Sequence, residues 1–421
     1  MGISAVLCAS VIALSLSGVR GQDNSDCNNR GLTDERENGF EDYCEAACDD
    51  LDTYFADVST ASEIDLEGVA SLACPDNADG EVISGVTIES GKTLTIKSSE
   101  AVRFVNVRFR IEAGASLVFD MPVTEVGPNS GDNENARGAL FDLYDGSTLT
   151  FTGDFHGDGV ENVRTMFYST GSIEFQGDAL FENSDNIFRS NLGTIKFRGD
   201  TTFRNNFYLA LDNEGTDSFV RFSKTATFED NAGSFDGSRG CAVVNEGAVI
   251  FRGVTVFSDH SCDEGKAVYN EGKMRFYGKT QFNENNGGFR NSDGGDLVFK
   301  AAAQFNKNRA EIGGGFLIDG GDVEFKKGVT FDGNSAILNG GAFAATGDGS
   351  LTFKKPSVVR TRNNALLGVY SSASLVETTG CSLAYVEDGA TVTGFDVDDV
   401  CEEVTVTREV SDSCLFFGNN C

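Results

Sequence analysis

Two phenylalanines six residues apart recur seven times in succession, and this constrains the fold more than any other feature of the sequence. The pairs are Phe175/Phe181, Phe197/Phe203, Phe222/Phe228, Phe251/Phe257, Phe276/Phe282, Phe299/Phe305 and Phe325/Phe331. Weaker copies start at Phe119 and Phe151, and another at Phe353, where Val359 takes the second place. From Phe175 on, successive first phenylalanines lie 22 to 29 residues apart. Each unit holds three short pieces in which apolar and polar residues alternate, as half-buried strands require. Examples are Thr194–Phe197 (TIKF), Val254–Phe257 (VTVF) and Ala242–Gly247 (AVVNEG). Gly, Asn and Asp separate the pieces and supply turns.

Self-similarity at this period indicates a solenoid or a propeller. Leu is too scarce for a leucine-rich repeat, and a propeller blade needs about 40 residues or more. Three strands per unit fit a parallel β-helix, in which each turn stacks on the last at about 4.8 Å and inward residues meet their own kind. The expected fold is therefore all-β: a right-handed parallel β-helix (solenoid) of about ten turns, its interior filled by columns of Phe, with Cys-rich terminal caps. An Asn three residues after the second Phe (Asn206, Asn231, Asn285, Asn308, Asn334) forms a further column, with Ser184 and His260 standing in for it elsewhere. Stacked amides can bond one another and turn backbone. Gly240, Gly265, Gly315 and Gly341, each before a third strand, suit a corner where a Cβ would clash.

A solenoid has open ends that need covering. Cys27, Cys44, Cys48 and Cys74 precede the repeats, and Cys381, Cys401, Cys414 and Cys421 follow them. Residues 33–58 look helical, with Cys44 and Cys48 on one helix face. The expected organisation is a signal peptide over 1–21, a Cys-rich, partly helical N-terminal cap over 22–80, β-helix repeats over 81–365, and a Cys-rich C-terminal cap over 366–421. The apolar run Ile3–Leu16 is too short to span a bilayer and ends in small residues, so it reads as a secretory leader cut near Gly21. Of eleven Cys, Cys8 lies in that leader. The remaining ten form an even set, as in a disulfide-bonded secreted protein. Cys241 and Cys262 sit at equivalent points of adjacent units and are expected to bond. No paired C-x-x-C is present and His156 and His260 are the two histidines, so a zinc site is not expected. No second segment is long and apolar enough to span a membrane, and no Asn-x-Ser/Thr acceptor occurs.

The F-x-x-N repeats (Phe203–Asn206, Phe228–Asn231, Phe282–Asn285, Phe305–Asn308, Phe331–Asn334), together with Gly340–Phe343 (GGAF), resemble the polymorphic outer membrane protein repeats of chlamydial-type adhesins. The resemblance covers about residues 175–363. Related units read GGGF (Gly313–Phe316), GCAV (Gly240–Val243) and GKAV (Gly265–Val268), and no translocator barrel follows. It implies a β-helix at a surface or extracellular site and supplies no catalytic residue.

The net charge of −32 disfavours nucleic acid and anionic membranes as partners. Carboxylates recur at the end of the third strand: Glu214, Glu246, Glu271, Asp293 and Asp319. Stacked about 5 Å apart they would repel. Calcium on Glu214, Glu246 and Glu271, helped by Asn213, Asn245 and Asn270, is one compensation; plain turn chemistry with solvated side chains is the other. No other cofactor is indicated. A basic column follows the first Phe (Arg198, Arg252, Lys300, Lys326, Lys354) and either neutralises an acidic corner or meets an acidic glycan. The insertion Gly127–Gly138 is a candidate functional loop or a spacer. The two histidines read as turn residues.

Secreted β-helices also process polysaccharides, and stacked carboxylates match a retaining glycosidase in spacing. Yet any stacked column gives that spacing, and Trp, a common sugar platform, is absent. The expected role is non-catalytic: a secreted or cell-surface structural or adhesive protein contacting extracellular protein or glycan. The alternative is a polysaccharide lyase, hydrolase or epimerase on the same scaffold.

Overall fold

The computed structural model describes residues 62–73 and 85–354, except 106, 127–138, 160–164, 192, 233–240, 263–265, 293 and 347. Elsewhere it describes backbone at Glu45–Ala46, Val358–Val359, Asn364–Ala365, Val369–Ser371, Ser374–Val376, Ala384–Val386 and Thr391–Thr393. The signal peptide, the insertion at 127–138 and the eight flanking cysteines lie outside the described residues.

Among the described residues the chain is all-β, a right-handed parallel β-helix. Three parallel sheets of 13, 12 and 13 strands run its length. One turn comprises Leu211–Glu214 in the third sheet, Phe219–Phe222 in the first and Ala226–Glu229 in the second. Each strand of these sheets pairs with its equivalent one turn away, so Phe197 faces Phe222 and Phe203 faces Phe228, while Val369–Ser371 and Ser374–Val376 pair antiparallel with each other. Pairing reaches into both flanking segments: Ser71–Leu72 pairs with Glu45–Ala46, and Ser350–Thr352 with Thr391–Thr393. The helix expected over 33–58 falls outside the described residues except at Glu45–Ala46. There the backbone is a short strand, because it continues a sheet edge that would otherwise be unpaired.

Burial alternates along each strand; TIKF of Thr194–Phe197 places Ile195 and Phe197 inside. The first-Phe rings run as one file from Phe119 to Phe353. Phe197, Phe222 and Phe251 stack at 4.7 and 4.8 Å with ring planes 6° and 3° apart. The second file, Phe181 to Phe331, stacks in the same way, with Phe228–Phe257 at 4.8 Å. Rings of the two files meet edge to face, as Phe197 and Phe203 do at 6.1 Å and 84°. Both geometries are favourable for aromatic pairs, about 0.5–1.5 kcal/mol each beyond area burial. A third file, not expected from the sequence, lies in the third sheet. Phe109, Phe141, Phe167 and Phe188 stack at 5.4, 4.8 and 4.7 Å, Leu211, Val243 and Val268 continue it, and Phe289 and Phe316 stack again at 5.1 Å.

The Asn column is a hydrogen-bonded ladder at the exit of the second sheet. Asn206 Nδ2 donates to Asn231 Oδ1 at 2.7 Å, Asn285 to Asn308 at 2.9 Å and Asn308 to Asn334 at 2.9 Å. The same nitrogens also donate to the carbonyl of the second Phe one turn back, such as Asn308 to Phe282 at 2.9 Å. The residue before each ladder position is left-handed (Asn183, Asn205, Asp230, Asp259, Glu284, Lys307, Gly333), which swings the amide inward. A narrow fourth side follows, first as single bridges from Ala232 through Ser261 and Asn286 to Arg309, then as the strands Arg309–Ile312, Ser335–Asn339 and Asn364–Ala365. At the next corner a Cβ on Gly315 would lie 2.6 Å from the Ala342 carbonyl, so glycine is required there. Cys241 and Cys262 form a disulfide with Cα atoms 5.7 Å apart.

His260 is a ladder rung, not an isolated turn residue. Its Nδ1 accepts from the Asn231 backbone N–H at 3.1 Å and the ring is buried. Burial holds its pKa down at about 4, opposed by the Asn231 carbonyl oxygen 3.3 Å from Nδ1. A folded-state value below the ordinary 6.5 means stability present above pH 6.5 and lost as pH falls toward 4. At about 1.4 kcal/mol per unit the loss is about 3 kcal/mol. The substitution His260→Asn restores the ladder residue and should flatten this part of the stability–pH curve, as measured by melting temperature between pH 7 and pH 4.

Candidate functional site

Parallel register fixes what each outer file contains. At the end of the third sheet Glu214, Glu246 and Glu271 lie one rung apart, followed by Ser292, Asp319 and Thr346. Asp293 lies outside the described residues. Glu246 Oε2 accepts the Gly215 N–H at 3.4 Å, and Glu271 Oε1 accepts the Tyr269 hydroxyl at 2.7 Å. Asp319 pairs with Arg290 and accepts from Thr346 Oγ1 at 3.1 Å. Asn213, Asn245 and Asn270, expected to help hold calcium, point the other way. They are fully buried and form a second amide ladder, with successive bonds of 2.7 Å that continue to Asn291. In each N-E-G triplet the strand alternates, so Asn faces the core and Glu faces outward. Calcium takes six to eight oxygens, and the amides supply none here.

Beside this file, Arg290 lies 5.4 Å over the Tyr269 ring. Lys266 Nζ donates to the Ile312 carbonyl at 3.2 Å. Burial, with Arg290 adding to the effect, brings the Lys266 amine down to about 8.

The basic file follows the first Phe. Arg198 Nε bonds Glu174 at 2.9 Å, and Lys326 and Lys354 lie 3.2 and 3.7 Å from Glu324. Tyr277, absent from the sequence-derived list, occupies the same place in its unit. Arg252 and Lys300 approach its ring to 5.9 and 4.4 Å. Its position directly after Phe276 was the available signal.

Unlike groups meet on the outer face of the second sheet, at residues the sequence reading set aside or passed over. His156 Nε2 lies 2.8 Å from Glu182 Oε1, and the other Glu182 oxygen accepts from Arg204 Nε at 2.5 Å. Asp158 Oδ1 accepts from Asn183 Nδ2 at 2.8 Å. His156, Asp158 and Glu182 each place a ligand atom within 4.8 Å of the others. His156 is thus a strand residue facing out, not a turn residue. Asp158, Glu182 and Arg204 occupy one place in three consecutive units, which is how register collects them. Burial pushes the Glu182 carboxyl up, but hydrogen bonds from Arg204 and His156 outweigh it and hold the carboxyl below its ordinary value. A carboxylate so held is a poor general acid.

The carboxyl that burial raises well above its usual range is Glu125. It occupies the second-Phe place of the Phe119 unit, facing the core between Phe104 and Gly157 in the neighbouring strands. Neither of its oxygens has a partner among the described residues. No family model, curated protein or solved structure matches the chain.

Because the folded state holds Glu125 protonated, this residue costs stability progressively as pH rises above the ordinary carboxylate range. Glu125→Gln removes the titration. Its melting temperature should match the unaltered protein near pH 4 and exceed it by a margin that widens toward pH 8. A constant difference across that range contradicts the assignment.

Proposed function

We propose that the protein is a non-catalytic structural or adhesive solenoid of the extracellular space or a cell surface, contacting protein or glycan partners through its flat faces. One observation carries the reading. Outward side chains are sorted by register into files, and several charged members pair within the protein: Glu271 with Tyr269, Asp319 with Arg290, Glu182 with Arg204 and His156. Such faces are rigid and repetitive, as an adhesive or scaffolding surface requires. The resemblance to adhesin repeats and the leader-like N-terminus agree with a surface site. Among the described residues no helix is long and apolar enough to cross a membrane. Calcium bridging Glu214, Glu246 and Glu271 belongs to the same proposal only as an added brace.

A polysaccharide lyase, hydrolase or epimerase is favoured by one observation: Lys266, lowered to about 8, lies near Arg290, which covers Tyr269, itself bonded to Glu271. That group includes a base with a pKa near neutrality. The deciding measurement is incubation with a panel of acidic polysaccharides, reading unsaturated ends by absorbance and reducing ends by titration. The proposal expects neither to appear. Turnover abolished by Lys266→Ala would replace it with the enzymatic reading.

A further inference from the structure

The corner between the first and second sheets changes character along the molecule. In its early turns it carries Asp154, Asp178 and Asp200. All three are spent on backbone: Asp154 Oδ1 accepts the Asp178 N–H at 2.9 Å, Asp178 Oδ1 the Asp200 N–H at 2.8 Å and Asp200 Oδ1 the Thr225 N–H at 2.9 Å. From Phe251 onward the corner carries Arg252, Lys279, Lys300, Lys326, Lys327 and Lys354, with no acidic residue in the one to three positions after each first Phe. All but Lys300, which lies along Tyr277, are exposed. The rungs here are in backbone contact, since a Cβ on Gly278 would sit 1.9 Å from the Gly253 carbonyl. Side chains after the first Phe therefore project as a straight row at the strand spacing of about 4.8 Å.

The two flanks differ. On the first-sheet side Glu324 lies beside Lys326 and Lys354, and Arg275 pairs with Asp296. On the second-sheet side the adjoining outward lane is uncharged and, apart from Val256, hydrogen-bonding: Thr227, Gln281, Gln304 and Thr330, with Gln281 Nε2 bonded to Gln304 Oε1 at 2.9 Å. An exposed ring, Tyr277, stands in the cation row itself. A row of cations, one aromatic face and a parallel lane of hydroxyls and amides match a chain with regularly spaced acid groups and a polar, hydroxyl-rich backbone. Single-stranded nucleic acid fits less well, because its bases want successive aromatic platforms and this row holds one.

We infer that the corner from Arg252 to Lys354 is a binding track for a linear acidic polysaccharide lying parallel to the solenoid axis. The inference rests on the adhesive reading above and names its partner class. With a net charge of −32 the protein as a whole repels polyanions, so any affinity must come from a local patch such as this one.

The test uses the full chain with polygalacturonate, dextran sulfate, uncharged dextran and a single-stranded oligonucleotide, measuring affinity and, in the same samples, glycan chain length. The variants are the double substitution Lys300→Glu with Lys326→Glu, Tyr277→Ala, and Lys307→Glu as a control at the opposite corner, where Lys307 pairs with Glu284; unchanged melting confirms folding. One or both charged glycans should bind, more weakly as salt rises, and dextran should not. The double substitution should weaken binding by about tenfold or more, equivalent to about 1.4 kcal/mol, and Lys307→Glu should leave it unchanged. Whether the carboxylated or the sulfated polymer binds identifies the acid group. Absence of binding, binding indifferent to the double substitution, or equal binding of the oligonucleotide through the same lysines overturns the track. Lysine-dependent binding with shortening of the glycan upholds the track and overturns the non-catalytic reading alone.

Discussion

Parallel pairing of each strand of the three long sheets with its equivalent one turn away is the constraint from which the rest of the structure follows. It sets like residue against like at one strand spacing along the axis. Flat rings tolerate that repeat: a Phe stacks on a Phe at 4.7–4.8 Å in turn after turn, as from Phe197 to Phe276. Edge-to-face contacts between files then lock the corners together. The seven strict pairs explain why the middle of the chain is the most regular part. Where the rule lapses the core adjusts. Gly157 takes the second-Phe place after Phe151, and Met166 fills the space, since a Cβ on Gly157 would lie 2.6 Å from its terminal methyl.

The same register that rewards apolar stacking penalises any inward polar group unless its neighbours are polar too. Two Asn files resolve this by bonding along the axis, one at the exit of the second sheet and one in the third. Outward charges face the reverse problem, because like charges are stacked on like. The protein answers by alternating sign within a file, as at Arg204–Glu182, and with diagonal partners, as at Arg275–Asp296. The surface that results is patterned in lengthwise lanes, which is why binding along the axis is the mode its chemistry suits.

Much of the fold was legible because identical residues at fixed spacing have few physical explanations. The phenylalanine pairs, the strand pieces and the first Asn column all follow from period-two alternation combined with stacking. The third aromatic file was not legible, since Leu211, Val243 and Val268 interrupt it and blur its identity. The N-E-G triplets were misread for a different cause. Two adjacent polar residues must face opposite sides of a strand, yet composition does not say which one enters the core. The cluster of His156, Asp158 and Glu182 draws on separate turns, so no short window of sequence displays it. Glu125 is a lapse in the repeat whose inward direction only the register of the Phe119 unit reveals.

The amide ladders also have a direction. Asn206 donates to Asn231, Asn285 to Asn308, Asn308 to Asn334, and in the third sheet Asn213 to Asn245, Asn270 and Asn291 in succession. Every one of these N–H bonds points toward the C-terminal end. Side-chain dipoles so aligned add and polarise one another. Each ladder is therefore electrically polar along its own length, between Asn206 and Asn334 in one and between Asn213 and Asn291 in the other, and both stop short of the solenoid's ends.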